Sequence, residues 1–213
     1  MSTIVFDFAG VLFNWQPAQL LQRELPGVAT DDATAAHWVA QVFQSYGGDW
    51  AEYDRGTIEP EALARRIASR TGLSTADTRR VIGGVAGELQ AMPASVALLA
   101  KLRRANRPLY FLSNMPGPVA DELERKNDFI GWFAGGMFSA RVGLIKPEPA
   151  IFDLAAQRFG VPARELVFID DHLPNVQAAR AAGWQALQFV DATQCERDLR
   201  LGGHWPGDTD LGA

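Results

Sequence analysis

Apolar residues recur along this chain in two rhythms. Thr3 to Phe8, Tyr110-Phe111-Leu112 and Val167-Phe168-Ile169 are short, nearly unbroken apolar runs, the signature of strands covered on both faces. The second of these strands is expected from Pro108 to Ser113, and Met137-Phe138-Ser139 and Ala186 to Val190 predict two more. Elsewhere the apolar positions fall at helical spacing. Leu20, Leu21 and Leu25 predict a helix ending at Pro26-Gly27, and Trp38, Val39, Val42 and Phe43 predict one capped by Asp31 or Asp32 and stopped at Gly47-Gly48. A short helix from Asp49 to Arg55 stops at Gly56, and Pro60 opens another through Leu63 and Ile67. Ser74-Thr75-Ala76-Asp77 is a capping-box pattern before Val81, Ile82, Val85 and Leu89.

Met92-Pro93 then returns the chain to alternating helices and strands. Helices are expected over Ala94 to Asn106, after Pro116 and Pro118 with Val119 and Leu123, over Ala150 to Phe159 with Gly160 as its stop, and over Asn175 to Ala182 before Gly183. Strand and helix alternating at these lengths predict an α/β fold, a doubly wound parallel sheet built on right-handed crossovers. Residues 1–14 and 92–213 would form this core, and residues 15–91 a small all-helical insert. From Asp191 onward the sequence turns polar and Gly-rich and is expected to be loosely held.

Composition narrows the class. With 213 residues, 47% hydrophobic and 21% charged, the chain has the profile of one globular domain with an insert. A net charge of −5 and the isolated pairs Arg79-Arg80 and Arg103-Arg104 give no basic stripe for nucleic acid. No apolar segment is long enough to span a bilayer. Met1-Ser2-Thr3 has no secretory pattern and Cys195 stands alone, so the cytoplasm is expected; oligomeric state stays open. Gly83-Gly84-Val85-Ala86-Gly87 follows no strand and reads as helix packing or a kink, not a dinucleotide loop. Phe43, Tyr46, Trp50 and Tyr53 are expected to pack the insert's interior, with a substrate-facing surface as the second reading, and His37 to be a packed or surface residue.

The chemistry lies at the strand ends. Asp7 interrupts an apolar run, where a carboxylate must find a cation, a metal or strong donors. Ser113-Asn114 ends the second long strand and Asp170-Asp171 the third, and in an open parallel sheet such ends gather in one crevice. Lys146-Pro147 follows another short apolar stretch.

In order and character, these four segments resemble the haloacid dehalogenase-like (HAD) hydrolase superfamily over nearly the whole chain. The resemblance implies a Rossmann-like core with a helical cap inserted after the first motif. It makes Asp7 the nucleophile that is transiently phosphorylated, Ser113 and Asn114 donors to the phosphoryl group, and Lys146 the cation that holds phosphate and neutralises Asp7. Asp7, Asp170 and Asp171, with the backbone carbonyl of Ala9, would form an all-oxygen Mg²⁺ site, Asp171 binding directly and Asp170 directly or through water. The substrate implied is a small phosphomonoester, a sugar phosphate among the candidates. Ala9 departs from the family pattern, which places a second aspartate there as general acid and base. A branch resembling bacterial glucose-1-phosphate phosphatases also has a small residue at this place, and Asp54-Arg55-Gly56-Thr57-Ile58 is similar to that branch. His172 is the nearest substitute acid in sequence. A 2-haloacid dehalogenase, which needs no metal, and a non-catalytic phosphate- or partner-binding homologue are the alternatives.

Overall fold

In the computed structural model, which describes residues 2–105 and 108–205, the apolar runs become strands β1 (Thr3–Phe6), β2 (Leu109–Ser113), β3 (Gly135–Phe138), β4 (Leu166–Asp170) and β5 (Gln185–Gln188). Among the described residues they make one sheet in the order β3-β2-β1-β4-β5, every pairing parallel. The winding direction reverses between β1 and β4, so a crevice opens outside the carboxyl ends of those two strands. Alternation explains why the central strands are apolar throughout. Ile4 and Phe6 of β1 pack into one side of the core with Val167 and Ile169 of β4, while Val5 packs into the other with Leu166 and Phe168.

Helices α1 (Pro17–Glu24), α2 (Asp32–Phe43), α3 (Gly48–Asp54), α4 (Pro60–Thr71) and α5 (Thr75–Glu88) occupy the stretch between β1 and α6 (Pro93–Arg104). Asp31 is the residue that caps α2, accepting from the Thr34 amide at 2.8 Å, and Ser74 caps α5. The chain leaves and returns side by side: Asn14 N donates to the Gln90 carbonyl and Met92 N to that of Leu12, both at 2.8 Å. Gly84 lies where α5 crosses α1, and a Cβ there would sit 2.8 Å from Leu20 Cδ1, so this glycine serves close helix packing, whereas a Cβ on Gly83 or Gly87 would meet open space.

The rest of the chain supplies the crossovers. Helix α7 (Gly117–Lys126) follows β2, α8 (Pro149–Phe159) follows β3 and α9 (Leu173–Ala181) follows β4. Gly160 ends α8 in the left-handed conformation, φ 66°. Three expectations need correction. Ser139 belongs not to β3 but to a 3-10 turn, Ser139–Arg141, because its hydroxyl is taken by the main chain at Asp54 and Met115. The last strand stops at Gln188, two residues short of Val190. The described part of the segment after Asp191 is helical: Asp191 caps α10 (Ala192–Leu201), whose Cys195 and Leu199, one turn apart, are buried in the core. Two apolar residues among polar ones are enough to seat that helix, and Lys101 Nζ to Glu196 at 2.8 Å ties it to α6. Asn106, the expected end of α6, and residues 206–213 lie outside the described residues. Among those described, no helix is long and apolar enough to cross a membrane.

Beneath the crevice lies a packed aromatic group. The Phe8 ring is 4.7 Å from that of Phe111, which lies 4.7 Å from Phe138 and 5.4 Å from Phe133. Gly136 of β3 makes room for Phe111: a Cβ at this position would come within 2.1 Å of that ring. Gly136→Ala should therefore destabilise the protein by about 1–3 kcal/mol, as overpacking does, measured by urea denaturation; an unchanged midpoint would show that the aromatic group can shift.

Candidate active site

Asp7 stands one residue beyond β1. Its amide donates to the Ile169 carbonyl at 2.9 Å, which fixes it to β4, and the Phe8 amide donates to its Oδ1 at 2.7 Å. The chain then turns through Gly10 at φ 79°. The missing side chain matters twice, since a Cβ on Gly10 would be 2.4 Å from the carboxyl carbon of Asp171. Lys146, from the loop between β3 and α8, places Nζ 2.9 Å from Asp7 Oδ1 and 2.7 Å from Asp170 Oδ2. All three residues are buried.

Each member of this chain is braced from behind. Asp170 accepts from the His172 amide at 2.8 Å and from Asn175 Nδ2 at 3.2 and 3.0 Å. Asn114 holds the main chain of Lys146 twice, its Oδ1 accepting from Lys146 N at 2.8 Å and its Nδ2 donating to the Lys146 carbonyl at 2.9 Å. The Lys146-Pro147 peptide is cis. The sequence suggested an amide donor to phosphate at Asn114; what its geometry displays is a positioning group for Lys146. Ser113 differs. Its hydroxyl, at the end of β2, is buried with no hydrogen-bond partner among the described residues, which is costly unless a ligand supplies one.

Charge explains what the arrangement lacks. Burial alone would lower the Lys146 pKa, but Asp170 and Asp7 outweigh it and keep the ammonium charged. For Asp7, burial pushes the pKa up to about 8, with Lys146 opposing and the charges of Asp170 and Asp171 adding to the rise. Fully ionised, three carboxylates against one ammonium would leave the group short of positive charge, so burial and this shortfall together make Asp7 hold its proton here. One oxygen from each of Asp7, Asp170 and Asp171 lies within 4.8 Å of the others. The carbonyl of Ala9 accepts no hydrogen bond among the described residues. Hard oxygen donors, an orphaned hydroxyl and a charge deficit together fit Mg²⁺ and a phosphoryl group. Both oxygens of Asp170 already have partners, whereas Asp171 is exposed at the crevice mouth. Asp171 is thus the freer ligand of the pair.

Over these groups lies a cavity of about 170 Å³, lined by Asp7, Ala9, Asp171 and Lys146 on the sheet side and by Trp15, Tyr46, Trp50, Asp54, Val85 and Leu89 on the helical side. Of the aromatics singled out in sequence, Phe43 and Tyr53 are packed inside, Trp50 is both packed and cavity-lining, and Tyr46 is 40% exposed at the rim. Gln44, Ser45 and Tyr46 are left-handed in succession, unfavourable for residues with side chains by roughly 1–2 kcal/mol each. Trp15 Nε1 donating to the Tyr46 hydroxyl at 2.8 Å and Asp49 N donating to Gln44 Oε1 at 3.0 Å hold that turn over the cavity. His37 is exposed against Trp38, and burial pushes the Cys195 thiol up to about 12, so neither is placed for chemistry. Asp54, which the sequence offers only as part of a resemblance and without a chemical role, also lines the cavity. It is 5% exposed, and burial pushes its pKa up to about 8 against the opposing charge of Lys146. The signal was available, because Asp54 falls on the same buried helical face as Trp50, an acid among apolar neighbours as Asp7 is.

Residues 1–183 match the family model described as haloacid dehalogenase-like hydrolase. The sesquiterpene phosphatase astK of Aspergillus oryzae is 28% identical over 196 residues, covering 92% of this chain and 93% of that enzyme. The (S)-2-haloacid dehalogenase H-109 of Pseudomonas putida is 25% identical, covering 85% and 82%. Among solved structures, the HAD family enzyme bt-2542 of Bacteroides thetaiotaomicron, in complex with magnesium and inorganic phosphate, superposes with a TM-score of 0.71 at 21% identity, covering 90% of this chain and 95% of that one.

Two outcomes follow from the charges. Lys146→Met leaves two buried carboxylates facing each other without their cation and should cost about 3–5 kcal/mol of stability without metal; a loss below 1 kcal/mol in urea unfolding would mean that the pair is not buried as described. For Asp54, the unfolded chain releases its proton near the ordinary carboxylate value while the folded chain holds it to about 8. Between those values the folded state binds more protons, so this group's contribution makes stability fall as pH rises. Asp54→Asn removes the contribution, and its melting temperature should fall less than the wild type's from pH 5 to pH 8; parallel curves would place Asp54 in water.

Proposed function

The chain belongs to the haloacid dehalogenase-like hydrolase family, and on that premise we propose that it is a Mg²⁺-dependent phosphomonoester hydrolase that works through a phosphorylated Asp7. The observation that carries this reading is the buried line Asp7–Lys146–Asp170 with Asp171 beside it, three carboxylates gathered around one ammonium. A haloacid substrate brings one carboxylate and needs a nucleophile, a cation and hydrogen-bond donors; it gives Asp171 nothing to do.

Asp7 attacks phosphorus through a carboxylate oxygen that Lys146 and the Phe8 amide orient. The ammonium of Lys146 allows two anions to approach, and the Ser113 hydroxyl donates to an oxygen of the transferring group. Mg²⁺ held by Asp7, Asp171, Asp170 and the Ala9 carbonyl would supply charge neutralisation at the phosphoryl oxygens. Residues 15–91 act as the cap, their aromatic and aliphatic side chains excluding water from the cavity. That wall also bears on the substrate. Trp15, Trp50, Val85, Leu89 and Met115 offer few partners to sugar hydroxyls and favour the phosphate of a largely apolar alcohol. The sesquiterpene phosphatase relative is in keeping with this choice over a sugar phosphate.

The test is a panel of prenyl, alkyl and sugar phosphates and a 2-haloacid, each with Mg²⁺ and with EDTA. Hydrolysis of prenyl or alkyl phosphate that EDTA abolishes, and that Asp7→Asn lowers by about 10⁴-fold or more, is the expected result. Activity surviving exhaustive EDTA, or halide release in its place, would overturn the reading.

A further inference from the structure

An apolar alcohol is a poor leaving group, and Ala9 lines the cavity with a methyl group that can donate no proton to it. Asp54 faces the same cavity from the last turn of α3, as buried as Asp7, yet its carboxyl group has no hydrogen-bond partner among the described residues. Resting on the phosphatase reading above, we propose that Asp54 is the general acid and base of the reaction, carried by the helical insert instead of the nucleophile's own turn.

The anchoring of Asp54 gives it the fixity that proton transfer needs. Ser139 Oγ donates to the Asp54 carbonyl, and the Arg55 guanidinium donates to Glu148, with Nη1 to Oε2 at 2.8 Å, and to the Gly143 carbonyl at 3.2 Å. Gly56, at φ 76°, presses so closely on the core that a Cβ would lie 2.6 Å from the Ala140 carbonyl. All of these contacts fall on residues 139–148, the segment that presents Lys146. The acid is therefore registered on the loop of the phosphate-binding cation, although it belongs to the insert.

Its surroundings suit a donor. Lys146 from the core and Tyr46 and Tyr53 from the insert lie close enough to interact with its charge, and Asp7, Asp171 and His172 line the rest of the cavity. Burial dominates and keeps the carboxyl protonated at neutral pH. Of the other proton carriers, the Tyr46 hydroxyl already accepts from Trp15, its own pKa raised by burial, and His172 is exposed at the start of α9. In the first step Asp7 bonds to phosphorus, the bond from phosphorus to the alcohol oxygen breaks, and the Asp54 proton passes to that oxygen, releasing the alcohol. In the second, the Asp54 carboxylate takes a proton from the water that attacks phosphorus. The bond from phosphorus to Asp7 then breaks, phosphate leaves and Asp54 is protonated again.

The experiment is a single-turnover leaving-group series, from nitrophenyl through phenyl to alkyl phosphates, on the wild type, Asp54→Asn, Asp54→Glu and His172→Ala, each checked for native melting. The expected wild-type dependence is shallow. Asp54→Asn should lose about 10² to 10⁴-fold on alkyl phosphate but less than tenfold on the nitrophenyl ester, with Asp54→Glu between it and the wild type. Should Asp54→Asn fail to fold, the same graded loss is expected of Asp54→Glu, whose acid is displaced by one methylene. A loss equal for all esters, or a steep dependence produced by His172→Ala instead, would overturn the assignment while leaving the phosphatase reading intact. A wild type that hydrolyses no ester and takes up no beryllofluoride at Asp7 would overturn both.

Discussion

Asp7 and Asp170 can be buried at the end of this sheet only because Lys146 lies between them. Removing a carboxylate from water costs several kcal/mol after relaxation, and an ammonium in contact offsets that cost only when the remaining lone pairs are also met. Asn175 and the His172 amide meet those of Asp170, the Phe8 amide meets one of Asp7, and Asn114 fixes the loop that brings Lys146 in. The topology exists to deliver these parts. β1 and β4 are neighbours, so Asp7 and Asp170 emerge side by side, while the crossover from β3 to α8 passes Lys146 across the same edge.

The insert shares the core's interior instead of riding free on a linker. Phe8 and Phe13 belong to one apolar cluster with Leu20, Phe43 and Trp50 of the insert and with Phe111 and Phe138 of the core. What separates the two layers is the cavity, roofed by a strained turn at residues 44–46 and closed at one side by the contacts of residues 54–56 with residues 139–148. Unfavourable backbone of this kind persists where its surroundings over-determine it. Here the Trp15 indole, which lines the cavity, and the Asp49 amide do so.

The sequence announces this site wherever a residue conflicts with its neighbours. Asp7 among Ile4, Val5, Phe6 and Phe8, and Asp170 after Val167-Phe168-Ile169, are acids where only apolar residues are expected, and both are buried at the crevice. Lys146 carries no local sign; its meaning comes from a carboxamide clamp that sequence spacing does not reveal. The clamp that Asn114 forms is hidden for the same reason, since donor and acceptor capacity is visible in sequence but its direction is not. Helix α10 was missed because one apolar face of two residues is too weak a pattern against a polar background, though Cys195 and Leu199 suffice once α6 is there to receive them. The left-handed run at Gln44-Ser45-Tyr46 contains no glycine, so no local preference points to it.

Position 9 shows how charge limits where a proton donor can stand. The turn after β1 already holds Asp7 within reach of Asp170 and Asp171, and each of those carboxylates raises the cost of ionising the next. A fourth acid on that turn would have to be neutralised by more bound cation or remain protonated among anions. A carboxyl group on α3 escapes the crowding. It is set apart from the three acids, faces Lys146, and is kept neutral by burial instead of by neighbouring negative charge. Its protonation is then governed by whether the insert stays docked on residues 139–148, so the contacts that close the cavity would be the same ones that keep the acid charged with its proton.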